Sequence, residues 1–213
     1  MGATFYVERL HLRGVIEIGE RSALSDVMSI YVPSFFIFLG MSLISPILPL
    51  YARSFDVSYA LASLAIPMYA IGRLLADIPT GIAADRLGRK PTILFSLVVT
   101  GASYILFPVT SDYLQLSLTA VLLGIGNTGA GQAPLALATD ASISEPKVLS
   151  MGLYRLFGDV GFIVGPIALG LIVDYYGLRM PFYFTALLVF INAFLILPLA
   201  EETYSKRRLN RSK

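Results

Sequence analysis

Arg73 and Asp77 lie four residues apart inside a long apolar stretch, and Arg155 and Asp159 repeat that arrangement in a later one. At i, i+4 each pair shares one helix face. An acid one turn from a base, away from bulk water, can release and retake a proton while the guanidinium holds an anion. The same spacing suits a self-neutralised structural pair, so residue types alone leave both readings open. A charge at the centre of a membrane helix costs about 2.5–3.5 kcal/mol on insertion scales, and such groups therefore face a cavity or a partner. Asn127 and Gln132 add neutral polar groups that can contact a solute or bond between helices.

A different cluster belongs at a membrane surface. Gly81, Asp85, Arg86, Gly88, Arg89 and Lys90 set one carboxylate among three cations, flanked by glycines. Gly81 permits close packing of its helix on a neighbour, and Gly88 permits the positive φ of a tight turn. A carboxylate here forms a latch that breaks when helices slide.

The elements that must carry these groups are membrane helices. Hydrophobic residues make up 56% of the 213 and charged ones only 14%, with mean hydropathy +0.73; soluble domains run at roughly 45–50% and about 25%. Zero Cys excludes disulfide scaffolds, zinc fingers and thiol catalysis, and the one His, His11, lies in the polar N-terminal stretch. A net charge of +2 gives no reason to expect nucleic acid. Residues such as Glu8, Arg9, Arg13 and Glu17 interrupt any apolar run in 1–26, so no secretory leader is expected.

Six segments reach the length of about 20 residues that a bilayer requires. They run from about Met28 to Tyr51, Tyr59 to Ala84, Pro91 to Val109, Tyr113 to Ala138, Val148 to Val173 and Met180 to Leu199. The expected organisation is a cytoplasmic segment 1–27, a six-helix domain 28–199 and a basic tail 200–213. Twelve of the 16 Lys and Arg residues fall on one side of this layout; Arg53 and Arg179 fall on the other, and Arg73 and Arg155 lie within spans. By the positive-inside rule both termini are cytoplasmic, in a multi-pass protein of the cell membrane.

An internal repeat organises the spans. Gly81-x3-Asp85-x2-Gly88 closes the second, and Gly170-x3-Asp174-x2-Gly177 closes the fifth, 89 residues later. With three helices per copy the second copy is inverted, a pattern of secondary transporters. The fold expected is thus all-α and integral to the membrane, with six helices as a 3+3 inverted repeat. Gly161-x3-Gly165 offers a close-packing face, Pro166 removes a backbone bond and bends the fifth span, and Gly170 ends the same glycine series.

The segment Gly81-Ile82-Ala83-Ala84-Asp85-Arg86-Leu87-Gly88-Arg89-Lys90 resembles the signature loop of the major facilitator superfamily, Gly-x3-Asp-Arg-x-Gly-Arg-Arg/Lys. The resemblance extends over 28–204, through Leu123-Gly-Ile-Gly-Asn127-Thr-Gly129 and Tyr154-Arg-Leu-Phe-Gly-Asp159-Val-Gly161. It implies one six-helix half of that fold, with the loop 81–90 gating between outward-open and inward-open states. The Gly165-Pro166 step is similar to that of drug/proton antiporters, although Gly170 is displaced from the usual ending. Ala120 stands where proton-coupled N-terminal halves usually carry Arg, which favours a C-terminal half.

The function implied is secondary transport by alternating access: efflux of a small hydrophobic solute coupled to protons. The partners implied are the lipid bilayer, the solute, the proton and a second six-helix half, in the same or another chain. Arg73, Asp77, Arg155, Asp159, Asn127 and Gln132 are the candidate relay. Two alternatives stand beside it: a non-transporting assembly subunit or truncated fragment, and an intramembrane aspartyl enzyme using Asp77, Asp85 or Asp159. No nucleophile–base set or metal-ligand cluster accompanies those acids, so neither catalysis nor a cofactor or metal is expected.

Overall fold

The computed structural model describes residues 32–42, 46–141 and 147–194; within these, the side chains of 33, 89–90, 131–141 and 147–150 lie outside the description. The expectations for residues 1–31 and 195–213, including His11 and the basic tail, therefore lie outside the described residues. All regular structure among the described residues is helical. The helices are α1 Val32–Met41, α2 Ile47–Arg53, α3 Tyr59–Ser63, α4 Ala65–Arg86, α5 Arg89–Leu106, α6 Tyr113–Ala141, α7 Lys147–Tyr176 and α8 Met180–Phe194. A single 3₁₀ turn, Phe107–Val109, extends α5.

Of the first expected span, α1 and α2 are described and residues 43–45 between them are not; the second is subdivided beside a proline. Ser42 donates back to the Leu39 carbonyl at 2.6 Å, and Pro46 stands at the N-cap of α2. The second is α3 followed by α4. Pro67 has no N–H to offer the Ser63 carbonyl, and the Leu64 N–H reaches only three residues back, to Leu61. By contrast α4 continues through Pro79 and α7 through Pro166, so these prolines do not end their helices.

Local sequence explains the remaining ends. Ser58 accepts from the Leu61 N–H at the start of α3. Asp112 accepts from the Gln115 N–H at 2.8 Å, while the Gln115 side chain accepts from the Ser111 N–H at 2.9 Å, a reciprocal cap for α6. Gly88 (φ +100) precedes α5 and Gly177 (φ +84) follows α7, both in the region that glycine reaches without strain.

The bundle is built from two intimate helix pairs bridged by α5 and α8. In the first, α4 packs on α6. A Cβ added at Gly72 would lie 2.8 Å from the Val121 carbonyl carbon, and one at Gly124 would lie 2.8 Å from the Arg73 nitrogen. In the second, α7 packs on α1. A Cβ at Gly161 would lie 3.1 Å from the Leu39 nitrogen, and one at Gly165 would lie 2.9 Å from the Leu39 oxygen. Glycine lets these backbones touch, which replaces the hydrophobic driving force that helices lack inside lipid. At the bridge, Gly101 of α5 receives the ring of Phe190 of α8.

A core of Tyr51, Phe107 and Phe182 closes one end. The Phe182 ring centroid lies 5.0 Å from that of Tyr51 and 4.9 Å from that of Phe107, and the Tyr51 hydroxyl donates to the Phe107 carbonyl at 3.0 Å. Beside it a cavity of about 410 Å³ is lined by Tyr51, Ser54 and Phe55 together with Tyr176, Gly177, Leu178 and Arg179. The turn before α3 and the turn after α7 therefore meet at one level of the bundle.

Among the described residues, three stretches are long and apolar enough to cross a membrane: Tyr59–Arg86, Pro91–Val109 and Met151–Tyr176. They are covered unequally. The apolar window of Pro91–Val109 is 56% buried, but those of Tyr59–Arg86 and Met151–Tyr176 are only 28% and 22% buried.

Candidate functional site

One group of buried polar residues lies where α4, α5 and α6 meet. Asn127 on α6 is buried and donates to the Tyr69 hydroxyl of α4 at 3.4 Å. Arg73, one turn along α4, is close enough for its charge to act on the same hydroxyl. Thr128, next to Asn127, donates to the Arg73 carbonyl at 3.4 Å and to the Gly124 carbonyl at 3.1 Å. Tyr104 of α5, buried near these residues, donates to the Gly40 carbonyl at 3.0 Å. A phenol between a guanidinium and a carboxamide can donate, accept or pass a proton along this line.

Two of the sequence candidates, Arg73 and Asn127, are thus joined through one residue that sequence reasoning passed over, Tyr69. A signal for it was available. Tyr69 precedes Arg73 by four residues on the same face, and its polar tip needs a partner when the ring is buried. The glycine pair Gly72 and Gly124 makes the meeting possible by bringing α4 and α6 to backbone contact.

The remaining candidates lie elsewhere. Asp77 is exposed one turn beyond Arg73. Arg155 and Asp159 are both exposed on α7, one turn apart. Gln132 lies in α6, but its side chain is outside the described residues.

In the loop, Asp85 and Arg86 are exposed in the last turn of α4. Thr92 donates to the Gly88 carbonyl at 2.9 Å and ties the turn to α5. Arg89 and Lys90 open α5, with side chains outside the described residues. A carboxylate at a helix C-terminus opposes the helix dipole. Asp85 therefore adds nothing to its own helix, and Asp174 in the last turn of α7 is placed in the same way.

A Cβ at Gly81 would meet nothing within 4 Å, so no neighbour among the described residues presses on it. Gly170 is equally open, although it belongs to the same run as the tightly packed Gly161 and Gly165. Both open glycines lie on the broadly exposed sides of α4 and α7, where packing within the bundle does not reach.

No group of His, Cys, Asp and Glu among the described residues could hold a metal ion.

The sequence profile of the Major Facilitator Superfamily matches residues 30–213. The chain belongs to that family. It is 30% identical over 165 residues to an uncharacterized MFS-type transporter of Methanocaldococcus jannaschii, with 76% of the chain and 42% of that protein covered. It is 29% identical over 163 residues to quinolone resistance protein NorA of Staphylococcus aureus, with the same two coverages. Among solved structures, the peptide transporter POT in complex with alafosfalin superposes with a TM-score of 0.73 at 16% identity, over 84% of the chain and 39% of POT. The sulfate complex of POT gives 0.72 at 16% identity, over 82% and 37%. The helices are those of a facilitator fold, and the chain spans about two fifths of the length of the relatives it matches.

Proposed function

We propose that this chain is one six-span half of a secondary active transporter, which exports a small, largely apolar solute by alternating access coupled to protons. In this reading 28–199 is the membrane domain, 1–27 and 200–213 are cytoplasmic flanks, and the cell membrane is its location. The resemblance to a quinolone resistance protein supports export.

The observation that carries the reading is a recurring equivalence at 89 residues. Gly72 and Gly161 each abut the backbone of a neighbouring helix, Gly81 and Gly170 are each open, and Gly88 and Gly177 each have positive φ. The contact of Ser96 with Gly129 recurs as that of Thr185 with Gly40. Gly101 touches Phe190, its own counterpart, as residues on a two-fold axis do. The pairing of α4 with α6 likewise recurs as α7 with α1. These equivalences support an inverted 3+3 repeat, the arrangement from which transporters build a midplane site and two alternating states.

The exposed charges support the rest. Arg73, Asp77, Arg155 and Asp159 lie on uncovered sides of apolar helices. Facing lipid, Arg155 and Asp159 would each cost about 2.5–3.5 kcal/mol. A water-filled path shared with a second six-span half removes that cost. In this reading the protonation of Asp77 or Asp159 gives the proton different affinities for the two states, as coupling requires. The loop at 81–90, with Asp85 at the wrong end of its helix dipole, supplies the latch.

Reconstitution in vesicles tests the proposal. An imposed pH gradient should drive accumulation of a fluorescent lipophilic cation, and a protonophore should collapse it. Flux no greater than in empty vesicles, with the chain correctly inserted and a second half present, would overturn the transport reading.

A further inference from the structure

We propose that the cavity between the end of α2 and the turn after α7 binds the phosphate group of an anionic phospholipid, with Arg179 as its cation. The site is separate from the polar cluster of α4, α5 and α6. It requires only that these helices cross a bilayer, whatever the chain transports.

Cations are scarce at this end of the bundle. Of the 16 Lys and Arg residues, Arg53 and Arg179 fall between spans here, against the bias that keeps basic residues on the opposite side. Arg53 is accounted for: its guanidinium donates to the Val57 carbonyl and stands 4.1 Å from the centroid of the Tyr59 ring, so it holds its own loop. Arg179 is not. It is exposed, and among the described residues its side chain makes no hydrogen bond, ion pair or ring contact. Arg86, Arg89 and Lys90 of the loop at 81–90 have Tyr175, Leu178 and Arg179 as their counterparts 89 residues on, so one of three basic positions stays basic.

That one lines a cavity of about 410 Å³, room for a phosphate with its ester groups, and no carboxylate is among the described residues around it. A guanidinium presents its N–H groups in a planar fork that fits two phosphate oxygens. The phenol of Tyr176, on the same wall and largely exposed, is a second donor. Ser54 already donates to the Tyr51 carbonyl at 2.6 Å, so its oxygen is left to accept from a headgroup hydroxyl. A cation, a donor and an acceptor beside the rings of Phe55 and Tyr176 suit a phosphodiester with a hydroxylated headgroup, as in phosphatidylglycerol.

Depth selects a lipid over a dissolved anion. The apolar stretch of α7 ends at Tyr176, and Arg179 follows three residues later. Around this level Tyr59, Tyr175 and Tyr176 are 76%, 80% and 71% exposed. Exposed tyrosines at the end of an apolar span mark the headgroup layer. Lipid phosphates are concentrated there, and a dissolved anion must compete with them for the same guanidinium.

These 213 residues contain no Trp, so one introduced Trp reports one location. Phe55→Trp puts it in the cavity wall. Leu114→Trp, at an exposed position in the first turn of α6, is the reference; the neighbouring Tyr113 donates to the Leu61 carbonyl of α3, which sets it at the same end. Each variant is reconstituted in phosphatidylcholine vesicles holding a minor fraction of phosphatidylglycerol, at physiological salt, with each lipid brominated in turn. Per mole, brominated phosphatidylglycerol should quench Phe55→Trp about fivefold more than brominated phosphatidylcholine, the enrichment that one basic residue gives at a membrane surface. Leu114→Trp should show no such preference. Adding Arg179→Gln should abolish the preference, and Arg179→Lys should keep most of it. Equal quenching by the two lipids, the same preference at both reporters, or a preference that survives Arg179→Gln overturns the inference. Loss of the preference on adding millimolar glycerol phosphate makes a dissolved phosphate ester the occupant and overturns the lipid assignment.

Discussion

Replacing Gly72 by Ala tests the packing of α4 on α6, and its size follows from the geometry. The new Cβ would lie 2.8 Å from the Val121 carbonyl carbon and 3.0 Å from the Val121 Cα, and closer still to the carbonyl oxygen. Ordinary contact begins at 3.4 Å, so α6 must retreat by at least 3.4 − 2.8 = 0.6 Å. The obstacle is backbone and no rotamer can yield. Overpacking of this kind costs about 1–3 kcal/mol. Ala is also favoured over Gly in a helix by about 0.8–1 kcal/mol, which masks part of the loss. Gly81→Ala removes that ambiguity. It lies on the same helix, gains the same propensity and meets nothing within 4 Å. Gly72→Ala should thus be less stable than Gly81→Ala by about 1–3 kcal/mol, measured from unfolding midpoints in mixed micelles. Gly161→Ala against Gly170→Ala should repeat the contrast on α7. Gly72→Ala with Gly124→Ala should cost less than the sum of the two, because one displacement relieves both clashes. Equal stability of Gly72→Ala and Gly81→Ala would refute the account of a backbone contact between these helices.

Cysteines placed at Ser111 and at Ser205 should label from opposite sides of the membrane, and labelling from one side would refute the topology. Asp77→Asn and Asp159→Asn, assayed separately, should show the proton carrier: its loss abolishes proton-driven uptake and spares gradient-free exchange of solute, and full proton-driven transport by both variants excludes both residues. Tyr69→Phe removes the hydroxyl shared by Arg73 and Asn127 while keeping the ring. It should lower transport at least as much as Asn127→Ala with little change in expression, and unchanged flux would exclude the hydroxyl from any relay.

The helical, apolar character of the chain was legible because about 20 apolar residues in succession have few fates other than crossing a bilayer, and three described stretches meet that measure. Their subdivision was less so. Pro46 stands at the start of α2 and Pro67 beside the α3/α4 junction, whereas Pro79 and Pro166 lie inside continuous helices, and residue type alone does not separate the two cases. The glycines divided similarly. Gly161 and Gly165 read as a close-packing pair and abut α1, but the motif glycine Gly81 is open. A motif identifies the residue and not the surface opposite it. Asn127 stood out as a polar residue in an apolar span. Tyr69 did not, because an aromatic on the buried side of a helix looks like core until the groups around its hydroxyl are known.

The contact of Gly101 with Phe190 carries a consequence for history. If a three-helix ancestor once assembled as two identical chains, this position faced its own copy. Two glycines there would leave a hole and two phenylalanines would collide, so neither choice fills the space well. Only after the two copies were joined, and each could mutate alone, could one side shrink and the other grow. A knob and its socket at mated positions therefore date from after the fusion, and they lock the joined form against returning to a symmetric pair of separate three-helix chains.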